Sequence, residues 1–397
     1  VGEKTFLAGV MRLVQEAQAS KSKLQILSDR AALYLTIVAI GTGSLTFILW
    51  LFAKAGFAFA IERLVAVLVI ACPHALGLAV PLVASISTTL AARHGFLVKQ
   101  RLSLETARNI DTVLFDKTGT LTEGKFGVIS YSSEDALLLA ASVNIHSEHP
   151  IAKGIVEEAK KKNLNLKEVT NFKRIPGIGA EGEIESQKVF VGHRGGADIV
   201  VEKNGQRIGT IKVEDKIRKE AKEAILQLKK MGLKLAMITG DSEEVAKKVA
   251  KELEIDEYFA RVLPDQKSEK VKILQLKGDK VAMIGDGIND APALTQADLG
   301  VAIGAGTNVA IESAGIILMR NDPRDITKII KLSRLTYAKM IQNLFWATGY
   351  NIIALPLGAG ILASKGILLQ PALAALLMSL STIIVAINAV LIKNKKL

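Results

Sequence analysis

Apolar residues in this chain fall into two patterns. Four runs carry no Lys, Arg, Asp or Glu: residues 31–53, 64–92, 340–364 and 366–392. Each exceeds the roughly 20 residues needed to cross a bilayer core, so each is expected to span a membrane. Between the second and third runs the pattern changes. Short apolar runs at 112–115, 233–238 and 280–284 predict buried strands, and amphipathic stretches at 243–252 and 290–296 predict helices. That alternation implies a parallel, doubly wound sheet. The block 124–208 differs, with two helices, Glu134–Asn144 and 151–162, and short Gly-punctuated strands at 175–191 and 199–209. It reads as an α+β domain inserted into the first. Residues 1–28 read as an amphipathic approach, with Phe6, Val10, Leu13, Val14 and Ala17 at helical spacing.

Charge orients this layout. Arg12, Lys21, Lys23 and Arg30 precede the first run, Arg93, Lys99 and Arg101 follow the second, and Lys393, Lys395 and Lys396 close the chain. The loops within each pair of spans are short and poor in positive charge. The positive-inside rule then puts both chain ends and the central segment in the cytoplasm of a multi-pass cell-membrane protein. The net charge of +12 fits anchoring beside anionic lipid. Aromatic residues are 5% and interleave with no basic patch, so nucleic-acid binding is excluded as a reading. The one cysteine, Cys72, permits no intrachain disulfide and lies inside the second span.

The strand at 112–115 runs into Asp116-Lys117-Thr118-Gly119-Thr120-Leu121-Thr122. A carboxylate at the carboxyl end of such a strand sits where open α/β sheets bind ligands, and it can accept a phosphoryl group. Two positions on stands Thr118, which cannot act as a general acid at neutral pH, so an aspartyl-phosphate there would persist. Thr239-Gly240-Asp241 follows the strand ending at Ile238. Pro264-Asp265-Gln266-Lys267 supplies a cation suited to phosphoryl oxygens. Gly285-Asp286-Gly287-Ile288-Asn289-Asp290 supplies hard oxygens suited to Mg²⁺.

These seven residues resemble the phosphorylation motif of P-type ATPases. The resemblance implies a haloacid-dehalogenase-like phosphorylation domain with Asp116, Lys117, Thr118, Thr239, Gly240, Asp241, Lys267 and Asn289 in catalysis. It further implies that Mg²⁺ is held by Asp116, Thr118, Asp286 and Asp290. No P-loop is present. The inserted block resembles the nucleotide domain of heavy-metal (type IB) members through Ser147-Glu148-His149-Pro150 and Gly177-Ile178-Gly179. Glu148, His149, Gly177, Gly179 and Gly192 are thus expected to bind ATP.

Cys72-Pro73-His74 lies in mid-span. Proline removes a backbone donor and opens the helix, and polar groups at membrane depth are functional by default. Thiolate suits soft ions and imidazole suits Cu and Zn. The triplet resembles the Cys-Pro-x signature of heavy-metal ATPases, its His variant the CopB-type copper subgroup. The same subgroup pattern implies Asn343, Tyr350, Asn351, Met378 and Ser379 as further ion-site residues.

The domain reading is therefore 1–28, the end of an actuator domain; 29–95 and 329–397, two spans each; 96–123 and 210–328, the phosphorylation domain; and 124–209, the nucleotide domain. No Thr-Gly-Glu hydrolytic loop occurs, so an actuator domain and amino-terminal spans are expected to be missing, and Val191 to Ile199 is shorter than the family pattern. The implied function is ATP-driven copper export, with a copper chaperone as a possible partner. Export of Zn²⁺ or Co²⁺ by the same mechanism is one alternative. A membrane-anchored phosphatase of the haloacid-dehalogenase type is another, and a non-catalytic metal-binding membrane protein is a third.

Overall fold

The computed structural model describes residues 23–397 apart from 176, 195–197, 287–288, 305–311 and 396. The amphipathic approach at 1–22 and the short passage at 195–197 lie outside the described residues. The chain forms two compact units: residues 1–114 with 224–397, and residues 115–223.

In the first unit, the membrane helices begin with α1 (Lys23–Phe52). The second apolar run is divided into α2 (Phe57–Ile70) and α3 (His74–Arg93). Pro73 causes the break: it has no N–H for the carbonyl of Val69 and disfavours helical backbone at Cys72. The Val69 carbonyl accepts instead from the Cys72 N–H at 3.3 Å.

A seven-stranded sheet follows on the cytoplasmic side. It is built from β1 (Phe96–Val98), β2 (Thr112–Asp116), β9 (Lys234–Ile238), β10 (Glu257–Phe259), β11 (Val281–Gly285), β12 (Leu299–Ile303) and β13 (Ile316–Leu318). The strand order is β1-β13-β12-β11-β2-β9-β10. Strands β9 and β10, β11 and β12, and β12 and β13 pair in parallel, and edge strand β1 pairs with β13 antiparallel. Every residue of β2, β11 and β12 is buried, as a sheet covered on both faces requires. Helices α4 (Arg101–Ala107), α8 (Glu243–Leu253), α9 (Lys267–Leu276) and α10 (Ala291–Gln296) pack on its strands, and α7 (Lys219–Lys230) precedes β9.

The expected third span is not one helix. Helix α11 starts at Asp325, well before the apolar run, and ends at Thr348, and α12 takes Asn351–Gly358. Gly349 and Tyr350 separate them, and Pro356 weakens the second piece further. Helix α13 (Pro371–Val390) completes the bundle. Among the described residues three helical segments are long and apolar enough to cross a membrane, Leu24–Phe52, Phe57–Arg93 and Pro371–Asn394. Ala75, Leu76 and Ala79 of α3 pack on Ala347 and Val385. Small residues at this seam let the helix backbones approach closely.

The second unit holds a six-stranded antiparallel sheet, in the order β3-β8-β7-β6-β5-β4. Its strands are β3 (Thr122–Tyr131), β4 (Thr170–Ile175), β5 (Gly179–Ile184), β6 (Gln187–Gly192), β7 (Ile199–Lys203) and β8 (Gln206–Ile217). Helices α5 (Glu134–Asn144) and α6 (Pro150–Lys161) bury Leu137, Ala140, Ile155 and Ala159 against Val189, Val191, Val201 and Ile211. This sheet reaches from residue 122 to 217, wider than the block 124–209 expected from glycine spacing. The long β3/β8 ribbon accounts for the extra residues.

Candidate functional site

The phosphorylation loop belongs to the second unit. Asp116 is the last residue of β2 and is buried, as is Lys117. A single wide turn, Lys117–Leu121, follows. Thr122 closes it: its hydroxyl accepts from the Gly119 N–H at 3.2 Å and lies 2.5 Å from Asp215 Oδ2 and 2.9 Å from the Lys117 carbonyl. Arg218 braces the other side, with Nη2 donating to the Gly119 carbonyl at 2.8 Å and Nε to the Thr120 carbonyl at 3.0 Å. Asp215 and Arg218 were not found from sequence. No local spacing links them to the loop, because β8 brings them there from about 95 residues away. Thr118 is exposed, and its hydroxyl cannot replace a carboxylic acid.

In the first unit two motifs follow strands β9 and β11, and a third, with Lys267, opens α9. Thr239, after β9, is buried and donates its hydroxyl to Asp241 Oδ2 at 2.8 Å while accepting from the Asp241 N–H at 3.1 Å. Lys267 Nζ donates to Asp290 Oδ1 at 2.6 Å, and both side chains are buried. Asp290 Oδ2 accepts from the Asp286 N–H at 3.2 Å. Both Asp290 oxygens are thus engaged in holding Lys267 and the loop. Removing one member of such a buried pair costs about 3–5 kcal/mol, because a buried charge is left alone. Asp286 is exposed at the end of β11, as is Asn289. Of the two carboxylates expected to hold Mg²⁺ here, Asp286 is exposed and Asp290 is buried and committed to Lys267 and the loop.

A cavity of about 320 Å³ lies inside the second unit, between α5, α6 and the ends of β4 to β6. His149, Gly177, Gly179 and Gly192 all line it. Glu148, expected with them, is exposed and is not among the lining residues. His149 caps α6: its Nδ1 accepts from the Ile151 N–H at 3.4 Å, with Pro150 in the first turn. That bond puts the ring proton of the neutral side chain on Nε2, leaving a donor for a ligand. The glycines divide by role. Gly177 has φ +73° with open space where a Cβ would stand, so it makes the turn. Gly179 and Gly192 face each other across β5 and β6, and a Cβ on either would strike the other strand's backbone. Arg174, Asn144, Ser147 and His193 complete the polar lining, and no carboxylate contributes. Apolar walls with one basic rim fit a purine carrying a polyphosphate. Sequence reasoning missed Arg174, since a lone arginine before Ile-Pro-Gly carries no pattern.

In the membrane, Cys72 and His74 flank Pro73 at the break, and both are exposed on the helix surface. The Ile70 carbonyl, at the end of α2, accepts from the Tyr350 hydroxyl at 3.3 Å. Tyr350 is thereby held beside the break. Asn351 is buried and its Oδ1 has no partner among the described residues, an acceptor suited to a cation. Met378 is half-buried, while Ser379 is exposed and donates to its own helix at Ala375 O, 2.9 Å away. Asn343 is buried with both amide ends engaged, Nδ2 to the Ala79 carbonyl at 3.0 Å and Oδ1 from Asn388 Nδ2 at 2.7 Å. Among the described residues no group of three or more His, Cys, Asp and Glu forms a metal cluster. The polar groups around the break are a thiol, an imidazole and neutral oxygens.

The fold and motifs define a haloacid-dehalogenase-like hydrolase domain set on a membrane helix bundle. The family model of that hydrolase matches residues 110–298, and a second haloacid dehalogenase-like model matches 268–330. The chain belongs to the PIB-type, heavy-metal P-type ATPases. A crystal structure of a zinc-transporting PIB-type ATPase in the E2.Pi state is 30% identical, with TM-score 0.74, over 98% of this chain and 68% of that one. The catalytic domain of the CPx-ATPase CopB-B is 39% identical, with TM-score 0.58, over 62% of this chain and 98% of that one. The "Copper-exporting P-type ATPase B" of Archaeoglobus fulgidus is 52% identical over 99% of this chain and 60% of its own length. The protein of the same name from Enterococcus hirae is 44% identical over 99% and 56%. The chain thus spans about three fifths of the length of the curated relatives it matches.

Proposed function

We propose that this chain is the catalytic and ion-binding part of an ATP-driven copper exporter of the cell membrane. The observation that carries the reading is a buried aspartate, Asp116, at the end of β2 with Thr118 in place of a second acid. It acts together with the Cys72-Pro73-His74 break and the copper exporters' 44–52% identity over nearly the whole chain.

In this reading the second unit's cavity holds ATP, with the base against Ile151, Ile155 and Ile199, His149 Nε2 on its edge, and Arg174 toward the phosphates. Mg²⁺ suits Asp286 with Asp116 and Thr118, and its chemistry is to neutralise charge on the transferring phosphoryl group. Asp116 attacks the γ-phosphorus, ADP leaves, and an aspartyl-phosphate results. Lys267, held rigid by Asp290, balances the added charge. Thr239 and Asp241 shape the neighbouring loop. Supporting this assembly, β2 lies between β11 and β9, the strands bearing the other two motifs. Because Thr118 cannot activate water, the phosphoenzyme persists, and hydrolysis falls to an actuator domain of the same protein. A copper chaperone is a fitting donor of the ion, since free Cu⁺ binds soft sulfur ligands avidly.

The ion site comprises Cys72 and His74, with Tyr350, Asn351 and Met378 closing around it. The Zn²⁺ alternative keeps the same machinery and has one specific support, the zinc-transporting structural neighbour. Metal-stimulated ATPase rates of the intact pump separate the two. Cys72→Ser should depress stimulation by Cu⁺ and Ag⁺ at least tenfold. His74→Cys should move preference toward Cu⁺ and away from Zn²⁺, because imidazole gives way to a second soft ligand. Stronger stimulation of the unmodified protein by Zn²⁺ or Co²⁺ than by copper would overturn the choice of ion.

A further inference from the structure

One polar chain in the bundle is not used by the ion site. Lys339 Nζ on α11 donates to Asn388 Oδ1 on α13 at 2.6 Å. Asn388 Nδ2 donates to Asn343 Oδ1, back on α11, at 2.7 Å. Asn343 Nδ2 then donates to the Ala79 carbonyl on α3 at 3.0 Å. An ammonium has only donors, so it must meet the oxygen of Asn388. That choice turns the Asn388 amide nitrogen toward Asn343 and the Asn343 nitrogen toward α3. The direction of the whole chain is therefore set at Lys339. Asn343, a candidate ion ligand by sequence, has its oxygen occupied as a result.

The chain also has a definite depth. Ala79 is five residues past His74 toward the cytoplasmic end of α3, about 7.5 Å along the helix. Asn343 precedes Tyr350 by seven residues, about 10 Å, and Asn388 follows Met378 by ten, about 15 Å. All three place the contact on the cytoplasmic side of the break. The α3/α11 seam continues in that direction through Thr336, whose hydroxyl donates to buried Ser87 Oγ at 2.7 Å.

We propose that Lys339 is a positioning residue. With Asn388 and Asn343 it latches three membrane helices together below the Cys72-Pro73-His74 break and closes the cytoplasmic approach to it. The inference rests on the reading that the break holds the transported ion. Opening the approach requires the Asn343 amide to release Ala79, which the ammonium opposes from two hydrogen bonds away.

Cys72 is the chain's one cysteine and so reports on its own accessibility. The test is the rate of Cys72 alkylation by a membrane-impermeant maleimide, using the full chain in sealed vesicles with cytoplasmic domains outward. Lys339→Met should speed alkylation about tenfold, whereas Lys339→Arg, also donor-only, should keep the unmodified rate. Asn388→Asp still accepts from Lys339 but cannot donate to Asn343, so it should behave like Lys339→Met. Unmodified rates in both Lys339→Met and Asn388→Asp would overturn the latch, as would an equal increase in Lys339→Arg. Cu⁺ should slow alkylation of the unmodified protein. No protection by any metal, with the variant pattern intact, would remove the ion-site reading and leave the latch standing.

Discussion

His149 and Arg174 show what a single residue can and cannot announce. His149 stands in a Ser-Glu-His-Pro run whose proline and capping chemistry mark a helix start, so its place at the α6 amino terminus was legible. Glu148 beside it shares the motif but is exposed and does not line the cavity. Arg174 has no motif and reaches the cavity because β4 pairs with β5 at Arg174 and Ala180. Their roles separate by ligand. His149→Ala should weaken ATP and AMP alike, by about tenfold, the loss of one good contact. Arg174→Ala should weaken ATP by about tenfold and AMP much less, because the guanidinium meets the outer phosphates. Calorimetric titration of the full chain with both nucleotides checks this. Equal loss of both nucleotides in Arg174→Ala would move Arg174 from the phosphate end to the base.

At the scale of elements, the buried strands were the easiest to read. Strands β2, β9 and β11 are short, apolar and closed by motif residues, and each was found within one residue at its ends. The β3/β8 ribbon was not, because one face of β3 is exposed and its sequence, rich in Gly, Lys and Ser, shows little alternation. The two broken spans illustrate a second limit. Hydropathy reports apolar length but not continuity; proline marks the interruption at 73, whereas the division at Gly349 and Tyr350 shows only in the backbone hydrogen bonds. The ends of the strands opposite the motifs are stapled by Asp279, whose Oδ2 accepts from Thr112 Oγ1 at 2.7 Å and whose Oδ1 accepts from Lys234 Nζ at 2.8 Å. The hydrogen bond from Lys234 holds the Asp279 carboxyl below its usual range, with Thr112 adding to it. A depressed carboxyl contributes stability that is present above the ordinary value, about 4, and is lost as pH falls through the folded one. Asp279→Asn should therefore destabilise the chain most at neutral pH, and the gap should begin to narrow as pH falls below about 4. Urea denaturation at pH 7 and pH 3.5 measures it; a gap that widens in acid would contradict the assignment.

For the molecule as a whole, the sequence carried the class of protein further than its geometry. Asp116, the Thr-Gly-Asp and Gly-Asp-Gly segments and Cys-Pro-His are short, ordered and chemically specific, so four local signals sufficed. The braces were invisible: Arg218 on the phosphorylation loop, Asp290 on Lys267, and Asn388 on Asn343 are all contacts that folding makes between residues distant in sequence. Each fixes a residue that the motifs had already singled out. The central claim is that Asp116 carries a phosphoryl group taken from ATP. The direct measurement is acid-quenched labelling of the full chain with γ-labelled ATP, Mg²⁺ and Cu⁺, followed by hydroxylamine treatment. The account predicts a label that hydroxylamine removes, present in the unmodified protein and absent from Asp116→Asn, which should still bind ATP. Label on Asp116→Asn at the unmodified level, or label that resists hydroxylamine, would contradict it.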